Sequence, residues 1–503
     1  MNRRNFIKQG SCAAMGSTTL LSTLAQLSAI NGAMAQPANP QADDYKAMVC
    51  ILLAGGLDSY NMLIPAGITP SDNGFNDYKA VRSDLALQNV GDLLALNNPQ
   101  CSGFRGFQCA YGAYGLHPQM GGMRDLFNSS TNKHLAFMAN IGTLVEPVRS
   151  KQEYNGGVKK LPLGLYSHSD QIMQWQTSVP QSREALGVGG RMADLLNAAN
   201  TNNQISMNIS LAGKNMFQQG QTTTEYSISN NVEPNNVGFQ SLPTWWGSSG
   251  LMTDLRDGAI DSMVGQTYAN LLQQTYSSTT KTTTAAFAGF KDALKKVTFA
   301  GTGFPTSRLA SDLLAIAKII SVRQELGVRR QLFFVTYGGW DMHDGLLAGL
   351  NNQLPVVSQA MKAFYDATVA LNVANKVTTF TISDFGRTAT SNGQGSDHAW
   401  GGNMMVMGGS VKGGKIYGAY PQMNLNSPLN VSFRGNYIPV VSTDEMYAEL
   451  ALWYGVSPSD LCYVLPNIGN FYSYAPNQYP VGFMDFSGTT ISSNNLPQNC
   501  LTY

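Results

Sequence analysis

Charged side chains are scarce in this chain: they make up 13% of its 503 residues, and the formal net charge at pH 7 is +1. With a balance so close to neutral, nothing in the composition indicates nucleic acid or an anionic membrane surface as a partner. No run of residues is apolar over the ~20 positions that a bilayer span requires, so we predict no stable membrane span. Histidine is also rare, with five copies, and the place of each one is therefore informative.

The N-terminus has the three parts of a signal peptide. Arg3 and Arg4 come before Phe6, residues 16–30 carry no charge, and small side chains lie at Ala33 and Ala35. This arrangement predicts a signal peptide over residues 1–35, and the arginine pair indicates the twin-arginine translocase as a partner during export. Residues 36–503 are then predicted to form one periplasmic or secreted domain. The alternative, an N-terminal membrane anchor, would need a longer apolar stretch.

Cysteine is limited to six residues, one of which, Cys12, lies in the predicted signal peptide. Cys50 lies within a continuous apolar run, which predicts a buried free thiol. An oxidising compartment favours disulfides between the other four cysteines, and free thiols are the alternative because pairing does not follow from sequence alone. We predict two disulfides, Cys101–Cys109 and Cys462–Cys500.

Apolar runs and helical periodicity alternate along the chain. The patterns predict buried strands at 46–54, 135–142, 331–337, 377–383 and 403–408, and helices at 116–127, 169–177, 309–326, 353–372 and 443–454. Such alternation is typical of an α/β fold, with a mostly parallel sheet covered by helices on both sides. The region around 200–284 is rich in Asn, Gln, Ser and Thr, and we interpret it as surface loops or an inserted subdomain.

Acidic and histidine residues gather where the predicted strands end. In open α/β sheets, ligands bind outside the carboxyl ends of the strands, so these residues should share one crevice. Carboxylate with imidazole suits zinc or manganese-type ions. A lone Asp after a strand is most often a turn or capping residue, but the repetition at several strands favours a shared polar site. The residues are Asp58, Asp341 with His343, Asp384 with Arg387, and Asp397 with His398.

Six motifs carry a resemblance to a known family: LLAGGLDSYNMLIP, NIGTLVEP, YSHSDQIMQWQ, GGWDMHDG, TISDFGRT and GSDHAWGGNMMVMGG, in this order. With them the chain resembles the twin-arginine-exported bacterial family called domain of unknown function 1501, which is grouped with the alkaline phosphatase and sulfatase superfamily. The resemblance implies a three-layer α/β/α sandwich. It also implies one or two divalent metal ions (zinc, manganese or calcium) at strand ends, and hydrolysis or transfer of phosphate or sulfate esters.

The resemblance also implies a set of metal ligands. Asp58 matches the Asp ligand of the first strand, and Asp341 with His343 resembles a later Asp-and-His pair, although their spacing is tighter. Asp384 and His398 match two further ligands, the first of which is usually followed by His. Phe385 stands in that place here. This departure points either to a single metal or to a second ion held differently, for which His168 is the candidate ligand.

The resemblance also implies a nucleophile. The superfamily places it at a helix N-terminus, where the helix dipole and free N–H groups favour an anion. Ser167 and Ser169 fit that description, but their alternative role is helix capping. Ser59 is a second candidate, and Arg387 or Asn61 would hold the non-bridging oxygens of the ester.

Two functional hypotheses follow. One is an exported metal-dependent hydrolase of phosphate or sulfate esters, with a small-molecule or glycan ester as substrate. The other is a non-catalytic secreted protein, used in binding or surface assembly, with a degenerate phosphatase-like site. The strand-end acids and histidines favour the first hypothesis. The second hypothesis is favoured by Phe385 in the place of a histidine, by the several serines that compete for the role of nucleophile, and by the aromatic tail over residues 470–479.

Overall fold

The computed structural model describes residues 44–131, 133–200, 206–228, 292–293, 303–487, 489 and 500. The predicted signal peptide lies outside these residues, and so does most of the polar region 200–284. Residues 206–228 of that region are described, and they contribute two short strands to the main sheet.

Strands and helices alternate along the described chain. The strands are β1 Lys46–Ala54, β2 Leu63–Pro65, β3 Leu94–Ala95, β4 Gln100–Cys101, β5 Tyr114–Leu116, β6 Leu135–Gly142, β7 Asn208–Ser210, β8 Tyr226–Ser227, β9 Arg330–Gly338, β10 Val377–Ser383, β11 Gly402–Gly408, β12 Lys415–Gly418 and β13 Val441–Ser442. The helices are α1 Gly74–Arg82, α2 Gly121–Asn128, α3 Lys151–Asn155, α4 His168–Thr177, α5 Val188–Leu196, α6 Arg308–Ser321, α7 Leu346–Ala370, α8 Thr443–Tyr454 and α9 Leu461–Val464.

The main sheet has the strand order β4-β12-β6-β11-β10-β1-β9-β7-β8, with β13 beside β6. Strand β1 lies at its centre and pairs in parallel with β10 on one side and β9 on the other. Strand β11 runs antiparallel to both of its neighbours, β10 and β6. A small antiparallel sheet, β2-β5-β3, lies apart from it. The central position of β1 explains its unbroken apolar run, because both faces of such a strand are covered.

Helices cover both faces of the sheet. The register of β10, β11 and β6 places Phe380 and Ala136 on one face, where the ring of Tyr447 in α8 lies 6.0 Å from that of Phe380. Phe137 follows Ala136 and so points to the opposite face. There its ring lies 5.9 Å from that of Phe127 in α2. The architecture is therefore α/β with three layers, as predicted.

The predicted central strands are confirmed, and three of them (β1, β6 and β10) have the predicted bounds. The helix predicted at 116–127 is wrong over its first residues. Leu116 pairs with Leu63 and Leu94 in the small sheet, and the helix begins only at Gly121, beyond Pro118. Pairing with distant strands decided these residues, and a local helical periodicity does not contain that information.

Both predicted disulfides form, Cys101–Cys109 and Cys462–Cys500, and Cys50 is a buried free thiol in β1. Two disulfides are compatible with an oxidising, extracytoplasmic compartment. Within the described ranges, no helix combines the length and the apolar character needed to cross a membrane.

Candidate metal centre

Three segments bring four side chains together at the carboxyl end of the sheet. The loop after β9 carries Asp341 and His343, the loop before β11 carries His398, and helix α4 begins at His168. The N-cap of α4 is Ser167, whose hydroxyl accepts the backbone N–H of Asp170. This cap sets where the helix starts, and with it the position of the His168 ring.

The four side chains meet through one carboxylate. Oδ1 of Asp341 lies 3.1 Å from Nε2 of His343 and 3.3 Å from Nε2 of His398, and Oδ2 lies 3.4 Å from Nε2 of His168. The Nε2 atoms of His343 and His398 are 3.0 Å apart. Ligand atoms of His168, Asp341 and His398 all lie within 4.8 Å of one another, which is a spacing that one metal ion can bridge.

In each of the three imidazoles, Nδ1 makes a hydrogen-bonding contact on the side of the ring away from Asp341. This is the arrangement in which a histidine presents Nε2 to a metal, because the bond at Nδ1 fixes both the tautomer and the orientation of the ring. The contacts of Nδ1 are 2.6 Å to Oδ2 of Asp384 for His168, 3.0 Å to Oδ1 of Asp397 for His343, and 2.8 Å to the carbonyl of Tyr166 for His398.

These contacts decide which ring nitrogen carries the proton. A carbonyl oxygen can only accept, so Nδ1 of His398 donates to Tyr166 and its Nε2 in the neutral ring is a lone pair. Nε2 of His168 is buried and has no hydrogen-bond partner among the described residues. Three ring nitrogens and the Asp341 carboxylate thus face one another as acceptors. A cation is the group that such a set accommodates.

Arg387 anchors Asp341 and the loops around it. The guanidinium lies 2.5 Å from Oδ1 of Asp341. It also donates to the carbonyls of Gly55, Gly56 and Ser396 at 2.8 to 2.9 Å. Arg387 is fully buried, and its planar fork therefore ties the strand-end loops to one another. It holds the carboxylate and does not face solvent.

The electrostatics favour the metal-binding forms of two of these side chains, Asp341 and His398. Burial raises the pKa of the Asp341 carboxyl, but the hydrogen bond and charge of Arg387 act against burial, and that pKa lies below its ordinary value. Burial lowers the pKa of His398, and the charge of Arg387 lowers it further against the opposing carbonyl of Tyr166. Both shifts favour the deprotonated ligand.

Asp384 contacts one of the four converging side chains, His168, through its Nδ1 atom. Its Oδ1 accepts the backbone N–H of Gly55 at 2.9 Å, and its Oδ2 contacts His168. Burial raises the pKa of the Asp384 carboxyl, although the Gly55 N–H and His168 act in the opposite direction. Both oxygens are therefore engaged in positioning the neighbouring loop and ring.

The side chains of Asp58 and Asn61 form hydrogen bonds away from Asp341. The Asp58 carboxylate forms a buried ion pair with Arg82, and its Oδ1 accepts the backbone N–H of Asn61. The Asn61 amide donates to the carbonyl of Leu85 and accepts the hydroxyl of Tyr78. Neither side chain takes part in the contacts around Asp341.

The serines predicted as nucleophiles lie in different surroundings. Ser167 caps α4, and its hydroxyl lies 3.1 Å from that of Ser169, which is exposed. Ser59 is fully buried, and its hydroxyl accepts the backbone N–H of Asn403. The Ser167 hydroxyl thus caps a helix, and the Ser59 hydroxyl bonds a backbone N–H group in the interior of the protein.

Three functional contacts were missed or underrated by sequence reasoning. Asp397 was noted beside His398, but its contact is with His343. Tyr166 acts through its backbone carbonyl at a left-handed φ of 71°, for which its side chain gives no signal. Phe385 packs its ring 4.8 Å from that of His168 and 4.5 Å from that of His398. It fills one side of the centre with apolar surface.

A family model described as a protein of unknown function (DUF1501) matches residues 272–435. This part of the chain is similar to that family. It contains Asp341, His343 and His398, whereas His168 comes from outside the matched DUF1501 region. No curated protein matches the chain.

Among solved structures, a variant of the alkaline phosphatase PafA is similar to this chain at 10% identity and a TM-score of 0.22. The similarity covers 70% of this chain and 64% of that protein, which is less than two thirds of its length. A TM-score this low does not establish a common fold.

Proposed function

We propose that this protein is an exported, metal-dependent hydrolase that acts on phosphate or sulfate esters. One observation carries the proposal: three imidazole nitrogens and the Asp341 carboxylate face one another as acceptors at 3.0 to 3.4 Å. Neutral imidazoles and a carboxylate in this arrangement repel one another unless a cation lies among them. The hydrolase activity itself rests on this site and on the family resemblance of the motifs.

The donor set indicates which metals fit. Three imidazole nitrogens and one carboxylate oxygen suit zinc or manganese. Calcium prefers a shell made only of oxygens, and we therefore propose zinc or manganese as the resident ion. Asp384, Asp397 and the Tyr166 carbonyl would orient the three rings, as outer partners do in metal sites.

The charges around the centre suit an anionic substrate. Asp341, Asp384 and Asp397 bring three carboxylates, while Arg387 on Asp341 and Arg434 on Asp397 bring two guanidinium groups. Counted as ionised, these groups leave one negative charge, which a divalent cation turns into one positive charge. A bound cation would polarise an ester oxygen and lower the pKa of an attacking water. The positive balance would draw an anionic ester to the centre.

The open side of the centre is at Asp341 and His343, whose side chains are 47% and 46% exposed. On the other side, Arg387 is fully buried and Phe385 covers the rings of His168 and His398. We propose that the ester enters from the His343 side. We also propose that water is the nucleophile, because the Ser167 hydroxyl is used as a helix cap.

The proposal is tested by elemental analysis of the protein purified after export, followed by assays on phosphate and sulfate monoesters with zinc or manganese. Zinc or manganese bound in the wild type, and lost in Asp341→Asn, is the expected result. A fold that stays intact and takes up no metal even after soaking would reject the hydrolase. In that case the non-catalytic binding protein becomes the better hypothesis.

A further inference from the structure

Asp58 forms a buried ion pair with Arg82. Asp58 is 2% exposed and Arg82 is fully buried. Oδ2 of Asp58 contacts the guanidinium, and Oδ1 accepts the backbone N–H of Asn61 at 3.3 Å. Both oxygens of this carboxylate are therefore engaged within the protein. A buried carboxylate requires such a counter-charge, because an unpaired one is strongly destabilising.

Arg82 is held in place from its other side. It ends helix α1, and its Nη1 donates to the carbonyls of Thr388 and Ala389 at 3.0 and 3.4 Å. These carbonyls follow Arg387 directly in the loop that carries His398. The guanidinium thus connects the loop after β1 to the loop that supplies a metal ligand. A fixed organic cation occupies the position next to Asp58.

Phe385 closes the side of the metal centre toward the loop after β1. A Cβ atom on Gly56 would lie 2.5 Å from the Phe385 ring, so the ring packs directly on that backbone. The same ring lies 4.8 Å from the imidazole of His168 and 4.5 Å from that of His398. An apolar ring offers no ligand to a cation. His168, the candidate ligand for a second ion, already points its Nε2 at Asp341.

We infer that this protein binds a single metal ion, at His168, Asp341, His343 and His398, and that Arg82 takes the place of a second cation beside Asp58. The inference rests on the proposed metal centre and specifies its stoichiometry. Asp58 then acts as a structural partner of Arg82, and its carboxylate gives the loops around the centre their spacing. The resemblance implied Asp58 as a ligand, and the buried guanidinium opposes that role.

The test is the number of zinc ions bound per chain, measured on the exported full-length protein by elemental analysis and by equilibrium titration with zinc alone. We expect one ion in the wild type and one in Asp58→Asn, with affinities that agree within about twofold. The asparagine keeps the shape of Asp58 and an oxygen for Arg82. The matched change at the centre, Asp341→Asn, is expected to bind none or to bind far more weakly.

Each outcome separates the inference from the proposed function. Two ions in the wild type, or loss of an ion in Asp58→Asn, would overturn the single-ion inference while leaving a metal centre. Zero ions in the wild type would overturn the proposed function and the inference with it. If Asp58→Asn does not fold, Arg82→Lys replaces it, because lysine keeps a cation beside Asp58. We expect one ion in that variant, and two would reject the inference.

Discussion

The Nε2 atoms of His343 and His398 face each other at 3.0 Å. Nδ1 of His343 contacts the Asp397 carboxylate, and Nδ1 of His398 contacts the Tyr166 carbonyl. In each ring the Nδ1 proton is therefore used in a hydrogen bond. In the neutral rings the two Nε2 atoms then carry lone pairs that point at one another. A divalent cation held by these two histidines and Asp341 would replace this repulsion with coordination.

Removal of an outer acceptor should weaken metal binding without unfolding the protein. In Asp397→Asn and in Asp384→Asn the contact to Nδ1 loses its charge, and we expect zinc affinity to fall by about 10–100-fold. Competition with a chelating dye measures this change. Asp366→Asn, which breaks an exposed ion pair with Lys362 on α7, is the matched control. Equal affinity in all of these proteins would show that the outer acceptors do not hold the rings.

Ser167→Ala should behave as the loss of a helix cap. Its hydroxyl accepts the N–H of Asp170 at the start of α4, and we expect the free energy of unfolding to fall by about 1 kcal/mol. Hydrolysis should stay within about twofold of the wild-type rate per bound metal, if water is the nucleophile. Ser169→Ala is the control, because this neighbouring serine is exposed. A rate that collapses in Ser167→Ala with zinc still bound would identify Ser167 as the nucleophile.

His117 should make the protein less stable in acid. Burial lowers the pKa of this histidine to about 4 from 6.5, although the charge of Asp58 acts in the opposite direction. Because the folded pKa is the lower one, the unfolded chain binds the proton more tightly. The stability it contributes is complete above pH 6.5 and is lost as the pH falls toward about 4. When this contribution of His117 is fully lost, the free energy of unfolding falls by roughly 3 kcal/mol, at about 1.4 kcal/mol per pKa unit.

The measurement for His117 is the free energy of unfolding by urea between pH 7.5 and 4, compared with His117→Asn. Asparagine keeps a side-chain acceptor but does not titrate in this range, so its curve should be flatter. The difference between the two proteins removes contributions that both share, including any from bound metal. Parallel curves would mean that His117 has the same pKa in the folded and unfolded chains.

Glu449→Gln should release the segment over residues 481–486. The buried Glu449 carboxylate in α8 accepts the backbone N–H groups of Val481, Gly482 and Met484 at 2.6 to 2.8 Å. A glutamine amide turns one acceptor into a donor, which leaves an N–H group facing an NH2 group at a cost of about 1–3 kcal/mol.

Hydrogen exchange at residues 481–486 measures this release, with faster exchange expected in Glu449→Gln. The exposed Glu325→Gln is the control for a simple loss of charge. Unchanged exchange in this segment would show that Glu449 does not hold it.

Local pattern was sufficient for much of the fold. The apolar runs at 46–54, 135–142 and 377–383 matched their strands in both bounds, because a strand covered on both faces must be apolar throughout. Strands β12 and β13 went unpredicted. They are short, and their pairing with β6 depends on neighbours far away in the chain.

The candidate site, like the fold, could be predicted only in part from the sequence. Sequence placed acids and histidines at the ends of strands, and parallel strands bring such ends to one edge of a sheet. It did not separate Asp341, which meets three imidazoles, from Asp58, which meets Arg82. The two aspartates have similar local surroundings, since each follows a buried strand and a glycine pair.

The sequence by itself thus determined the elements, the order of the sheet's buried strands along the chain, and the residue types available at their ends. Periodicity and composition act over a few residues, and these properties need nothing more. Only the tertiary structure decided which aspartate meets the histidines and which acceptor stands behind each ring. Those choices depend on contacts such as Tyr166 with His398, 232 residues apart, which exist only after the loops have packed.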